Sequence, residues 1–177
     1  MLEKTVESET MFKGLIFDVE RIDIEMPDGR LSMRDVIRHA GAVGVIARKP
    51  DGGKFVFVRQ YRKAIEQVTL ECVAGTLEPN ENPMVCAARE LAEETGYESG
   101  ELIRLGQCCP SPGYLDEKIE LYYTEIVGVG RGEQDEDENC EPVELTAEEI
   151  DAAIDAGEIV DSKTLSAWLL YRRKFLT

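Results

Sequence analysis

The chain has 177 residues and 43% hydrophobic content, enough for one globular chain with a sizeable core. Its 36 acidic and 20 basic residues leave a net charge of −16, which makes nucleic-acid polymers and anionic membranes poor partners. No long apolar run occurs, and the N-terminal MLEKTVESET lacks the apolar core of a signal peptide, so a soluble, cytoplasmic protein is expected. Five cysteines with no CxxC pair argue for reduced thiols over a disulfide framework or a zinc site, with Cys108 and Cys109 read as strand packing.

Along the chain, residues 13–25 alternate apolar and polar, a PDGR turn follows at 27–30, and 31–38 return as a second strand. They predict a small N-terminal antiparallel β unit over residues 1–38, followed by a main domain over 39–177. GAVGVIAR at 41–48, the KPDGGK turn and FVFVRQY at 55–61 form the clearest hairpin. Strands near 67–73, 101–109, 119–127 and 141–145 complete a mixed sheet. A helix over 83–95 would pack on one side of it. TAEEIDAAIDAG carries a Thr146/Glu149 capping box and a terminal Gly157, predicting a second helix. A third, over about 162–175, is expected to bury Leu165, Trp168 and Leu169. This order predicts an α/β fold, an α/β/α sandwich around a mixed sheet.

The most informative stretch runs from Gly75 to Tyr97, GTLEPNENPMVCAARELAEETGY, with five acidic residues and one arginine at fixed offsets around a short helix. Asn82 is a good N-cap, Pro83 suits the first helical position, and Gly96 stands where a left-handed residue would end the helix. At 100° per residue, Met84, Val85, Ala88, Leu91, Ala92 and Thr95 fall on one side, expected to pack, and Glu90, Glu93 and Glu94 on the other. Cys86 and Ala87 are small and are expected to leave room beside the carboxylates. Glutamates three and four apart repel one another, which a divalent cation would reverse. Magnesium takes a few carboxylates together with substrate phosphates, and this face offers such a half-shell. Arg89 is spaced to pair with Glu93 one turn on and hold the carboxylates in place. The competing reading, a solvated acidic face in an acidic chain, leaves unexplained Glu81 in the loop and a tight turn expected at Gly75.

This spacing resembles the signature box of the Nudix hydrolases, matched at every charged and glycine position, with Tyr97 where that family more often has an aliphatic residue. VRQYR at 58–62, ECVAG at 71–75, SPG at 111–113 and the acidic loop before VEL at 143–145 are similar to the ADP-ribose pyrophosphatase branch. That branch often has proline before Ala-Gly, where this chain has Val73. The resemblance covers most of the chain. It implies a Nudix-type sandwich that hydrolyses ADP-ribose to AMP and ribose 5-phosphate with magnesium, manganese being an alternative. It also implies a homodimer that exchanges the N-terminal unit. By matching the box, Glu90, Glu94 and the Ala74 carbonyl are metal ligands, and Glu93 is a further ligand or orienter. Gly75 and Glu81 are supporting residues, Glu81 through the loop and Arg89. Arg62 and Arg34 match substrate-contacting arginines. A mobile catalytic glutamate aligns with Glu138, with Glu136 as runner-up.

Glu71 is a candidate to accept hydrogen bonds from substrate or to pair with an arginine. Phe17 and Tyr61 are candidates for base stacking, although aromatics at strand spacing more often form core. His39, the sole histidine, is read as structural. Two other readings stay open: a hydrolase of another nucleoside diphosphate sugar such as GDP-mannose, and a non-catalytic nucleotide-sensing module on the same fold.

Overall fold

A computed structural model describes residues 2–50, 53–130 and 140–175. The chain forms two compact units, Met1–Gly41 with Cys109–Lys118, and Ala42–Cys108 with Ile119–Thr177.

The first unit is a three-stranded antiparallel sheet of β1 (Lys4–Lys13), β2 (Phe17–Glu25) and β3 (Leu31–His39), in that order. The alternating segment 13–25 and its return strand are β2 and β3, but β1 precedes them. Every residue of β1 is exposed, so no burial-driven alternation marks it as a strand. Ion pairs between neighbouring strands, such as Arg21 Nε to Asp35 Oδ1 at 2.9 Å, add to the ladder. The SPG loop belongs to this unit: Ile37 donates to the Tyr114 carbonyl at 2.7 Å, and Asp116 returns a bond to the Ile37 carbonyl at 3.1 Å.

The second unit holds a mixed sheet of β4 (Ala42–Arg48), β5 (Phe55–Arg62), β6 (Gln67–Thr76), β7 (Tyr97–Ser99), β8 (Ile103–Cys108), β9 (Ile119–Val129) and β10 (Cys140–Leu145). Their order is β10-β5-β6-β4-β9-β7, with β8 also on β9. β4 and β9 run parallel and the other pairs are antiparallel. The three-residue strand β7 went unpredicted because it is too short for any period to show.

Alternation along β4 assigns the two faces. Val43, Val45 and Ala47 enter one cluster with Leu91 of α1 (Pro83–Thr95). Ala42 and Ile46 enter the other, with Ile150 of α2 (Ala147–Asp155) and Trp168 of α3 (Ser162–Phe175). Helices thus cover both faces, and β4 is buried on each, as the central strand of such a sandwich must be. The capping box of α2 forms as its residues predict: Thr146 Oγ1 accepts from the Glu149 amide, and Glu149 Oε2 accepts from the Thr146 amide.

One expectation for α3 is corrected. Leu169 is 58% exposed, whereas Thr164, Ala167, Trp168 and Tyr171 are buried. Tyr171 stands in the 3.6-residue phase set by Thr164, Ala167 and Trp168 and fills an aromatic cluster: its ring lies 5.5 Å from Trp168 and 5.2 Å from Phe55.

Candidate active site

Helix α1 starts and stops where its residues dictate. Asn82 is extended and its Oδ1 accepts from the Met84 amide at 2.9 Å, Pro83 opens the first turn, and Gly96 closes the helix in the left-handed region at φ 71°. The helix is rotated from the expected orientation. Its buried residues are Cys86, Ala87, Glu90, Leu91 and Glu94, while Met84 and Val85 are exposed. Cys86 and Ala87 therefore fill core instead of leaving room beside the carboxylates; being small, they let the helix sit close to Val43, Val45 and Val73. Burial holds the Cys86 thiol up at about 12, so it stays protonated.

This rotation turns the glutamates onto strand β6. Gly75 lies within that strand, paired with Val43, and not in the tight turn expected of it. Its missing side chain serves the helix: a Cβ at Gly75 would stand 1.8 Å from the Glu90 carboxyl carbon. One residue earlier, the Ala74 amide donates to Glu94 Oε2 at 3.3 Å. Glu90 and Glu94 are 6% and 2% exposed, so two carboxyl groups are packed against the backbone of a core strand.

Arg89 gathers the acidic groups around them. Its Nε and Nη2 grip Glu81 in a bidentate pair at 3.1 and 3.0 Å, and its Nη1 donates to both Glu90 and Glu93 at 2.8 Å. Glu81 in turn accepts the Glu78 amide at 3.0 Å, tying the loop to the helix. Arg89 and the Glu78 amide hold the Glu81 carboxyl down at about 2 against a smaller desolvation penalty. Three carboxylates share one guanidinium, so the cluster keeps an excess of negative charge.

A second charged group stands on β5 and β6. Arg62 grips Glu71 through Nε and Nη2 at 2.8 and 2.6 Å, and Thr69 donates to the same carboxylate at 2.5 Å. Lys163 Nζ of α3 completes the set on Glu71 Oε2, the oxygen that Arg62 Nη2 also holds. Burial would push the Glu71 carboxyl up, yet these partners outweigh it and hold it at about 2. Lys163 was not anticipated; its neighbour Asp161, a capping residue at the start of a predicted helix, was the available signal. Arg34 stands in the first unit, on β3, where it pairs with Glu3 at 2.5 Å. Phe17 and Tyr61 are exposed, not core, and Phe17 faces Phe12 across 6.3 Å. His39 Nδ1 accepts the Gly41 amide at 3.0 Å, a structural role. Glu138 and Glu136 lie outside the described residues.

The donor set suits a hard divalent cation. Glu90 and Glu94 offer buried carboxylate oxygens beside a strand backbone, and magnesium binds through one or two carboxylates completed by water and substrate phosphates. Among the described residues no group of three or more His, Cys, Asp or Glu side chains is arranged to hold a metal ion, so the protein side of such a site would be partial. An open half-shell is the arrangement expected where phosphate supplies the remaining ligands.

The family description "NUDIX domain" matches residues 38–168. An ADP-ribose pyrophosphatase of Bacillus subtilis (strain 168) is 39% identical over 167 residues, covering 93% of this chain and 90% of that relative. A methanol dehydrogenase activator of Bacillus methanolicus is 43% identical over 169 residues, again covering 93% of this chain and 90% of that one. A solved structure named as an ADP compounds hydrolase has the same fold, with a TM-score of 0.86 over 99% of this chain and 95% of that chain, at 21% identity. The box around Arg89, the sandwich and these likenesses together define a diphosphate-cleaving class, and the chain belongs to the Nudix hydrolase family.

Proposed function

We propose that this protein hydrolyses the pyrophosphate bond of ADP-ribose to AMP and ribose 5-phosphate, with magnesium, or manganese in its place. The observation that carries this reading is the packing of Glu90 and Glu94 against Ala74 and Gly75 under the Arg89 clamp, in a chain 39% identical to an ADP-ribose pyrophosphatase. Water attacks one phosphorus, the P–O–P bond breaks, and the bridging oxygen leaves with the other phosphate.

Glu90, Glu94 and the Ala74 carbonyl would hold the cation, with Glu93 as a further ligand or orienter. When bound, such a cation neutralises the diphosphate and lowers the pKa of water. Arg89 fixes the three carboxylates it touches, so that no reorganisation is needed during the reaction. Arg62 contacts the diphosphate, Glu71 orients Arg62, and Arg34 contributes a second cationic contact. Glu138, with Glu136 as runner-up, takes the proton from the attacking water. The protein acts as a homodimer in the cytoplasm. Exposed Val6, Phe12 and Met33 on the first unit's sheet support an intersubunit role for that unit.

A panel of nucleoside diphosphate sugars, assayed with magnesium for phosphomonoester products, tests the assignment. ADP-ribose should give AMP and ribose 5-phosphate with the highest kcat/KM; preference for GDP-mannose would move the assignment to another sugar nucleotide. The relative from Bacillus methanolicus supports a second reading, activation of an alcohol dehydrogenase. Stimulation of purified methanol dehydrogenase by this protein, read from the rate of methanol oxidation, tests this second reading.

A further inference from the structure

The start of α3 carries a charged group that the proposed chemistry does not use. Asp161 Oδ1 accepts the amides of Lys163 and Thr164, each at 3.1 Å, and so caps the helix. The same oxygen holds Lys163 Nζ at 3.1 Å. Thr164, fully buried, accepts the Cys72 amide of β6 at 2.9 Å, which docks the helix start against the strand that carries Glu71, Ala74 and Gly75. Lys163 Nζ then reaches Glu71 Oε2, the oxygen that also accepts from Arg62 Nη2.

The environments of the two cations differ. The Lys163 side chain is 13% exposed and enclosed by Glu71 and Asp161, whereas that of Arg62 is 40% exposed. Arg62 commits Nε and Nη2 to Glu71, and its Nη1 makes no hydrogen bond to any described residue. One edge of the guanidinium is therefore anchored while another can donate to an anion. Glu94 acts electrostatically on Arg62, so this guanidinium belongs to the same field as the buried carboxylates of α1.

We propose that Lys163 is a positioning residue for the diphosphate: it braces Glu71 from the helix side, so that Glu71 presents Arg62 with its outer edge toward the substrate. This rests on the reading of Arg62 as the diphosphate contact. The direction of the effect follows from charge. Arg62 and Lys163 balance Glu71 and Asp161, so removing Lys163 leaves the group negative and sets Arg62 against an excess of carboxylate. Anion binding should weaken, while the carboxylates of α1 and the chemical step are left in place.

The test is a double-mutant cycle of Lys163→Met and Arg62→Ala, read by ADP-ribose turnover with magnesium and by calorimetric titration of ADP-ribose in EDTA. Lys163→Met should raise KM by about tenfold with kcat within about threefold, and Lys163→Arg should restore most of the loss. In the Arg62→Ala background the same change should add less than about twofold, because the residue through which Lys163 acts is gone. Lys163→Gln, which keeps a hydrogen-bond donor, serves if the methionine variant melts well below wild type. Equal effects of Lys163→Met in both backgrounds, or a fall in kcat at constant KM, would overturn the positioning role. If Arg62→Ala leaves KM and metal-free affinity unchanged, the assignment of Arg62 fails first and this proposal with it.

Discussion

Gly75 and Glu90 occupy one space: a single methyl group on the strand residue would stand 1.8 Å from the carboxyl carbon of the helix residue. The strand is therefore built to admit a carboxylate where a core strand would ordinarily present a side chain. Gly75→Ala should displace Glu90 or the helix. We expect a loss of about 1–3 kcal/mol of stability, as for an overpacked core, and a fall in kcat of about a hundredfold. Thermal melting and steady-state kinetics on the same preparation check this; a variant with wild-type values for both would show that Glu90 can move away without consequence.

Metal dependence follows from the charge around Arg89. Three carboxylates on one guanidinium, with the buried Glu94 alongside, would repel a diphosphate. EDTA should abolish turnover and magnesium restore it. Glu94→Gln, which keeps size and helix propensity, should lower kcat by at least about a hundredfold with normal circular dichroism. Full activity in EDTA would remove the cation from the proposed site.

Glu71 provides a pH signature of stability. Its carboxyl is held at about 2 against an ordinary 4.5, so its contribution is fully present above 4.5 and is lost as the pH falls from 4.5 through 2. The amount at stake is on the order of 3 kcal/mol. Glu71→Gln should be less stable at neutral pH and should lose stability less steeply between pH 4.5 and 2. Urea unfolding at a series of pH values checks this; parallel curves for the two proteins would mean that Glu71 is no better stabilised in the fold than in the unfolded chain.

The loop carboxylate is tested by two neighbouring substitutions. Glu138→Gln should lower kcat by about a hundredfold or more with KM little changed, as for loss of a general base, and Glu136→Gln should do much less. Reversed outcomes would shift the register by two residues; two variants with wild-type kinetics would leave water activation to the cation alone.

Local chemistry made part of this protein legible from its residues. Asn82, Pro83 and Gly96 set the ends of α1 because capping and left-handed backbone are decided within one helical turn. The Arg89 clamp on Glu93 follows from helical spacing, and the central strands β4 and β5 show as short apolar runs joined by a turn, as strands covered on both faces do.

Tertiary packing decided the rest. Periodicity identifies two faces of α1 but not which one meets the sheet; the glutamate face does so because Gly75 vacates the space and because Cys86 and Ala87 permit close approach. The all-exposed β1 is held by pairing with β2, a partner that composition does not reveal. Lys163 meets Glu71 across 92 positions of sequence, only because Thr164 docks the start of α3 on β6. A residue's own neighbours in the chain determine its local conformation, whereas the charge it meets in the fold depends on segments that only the packed sheet brings together.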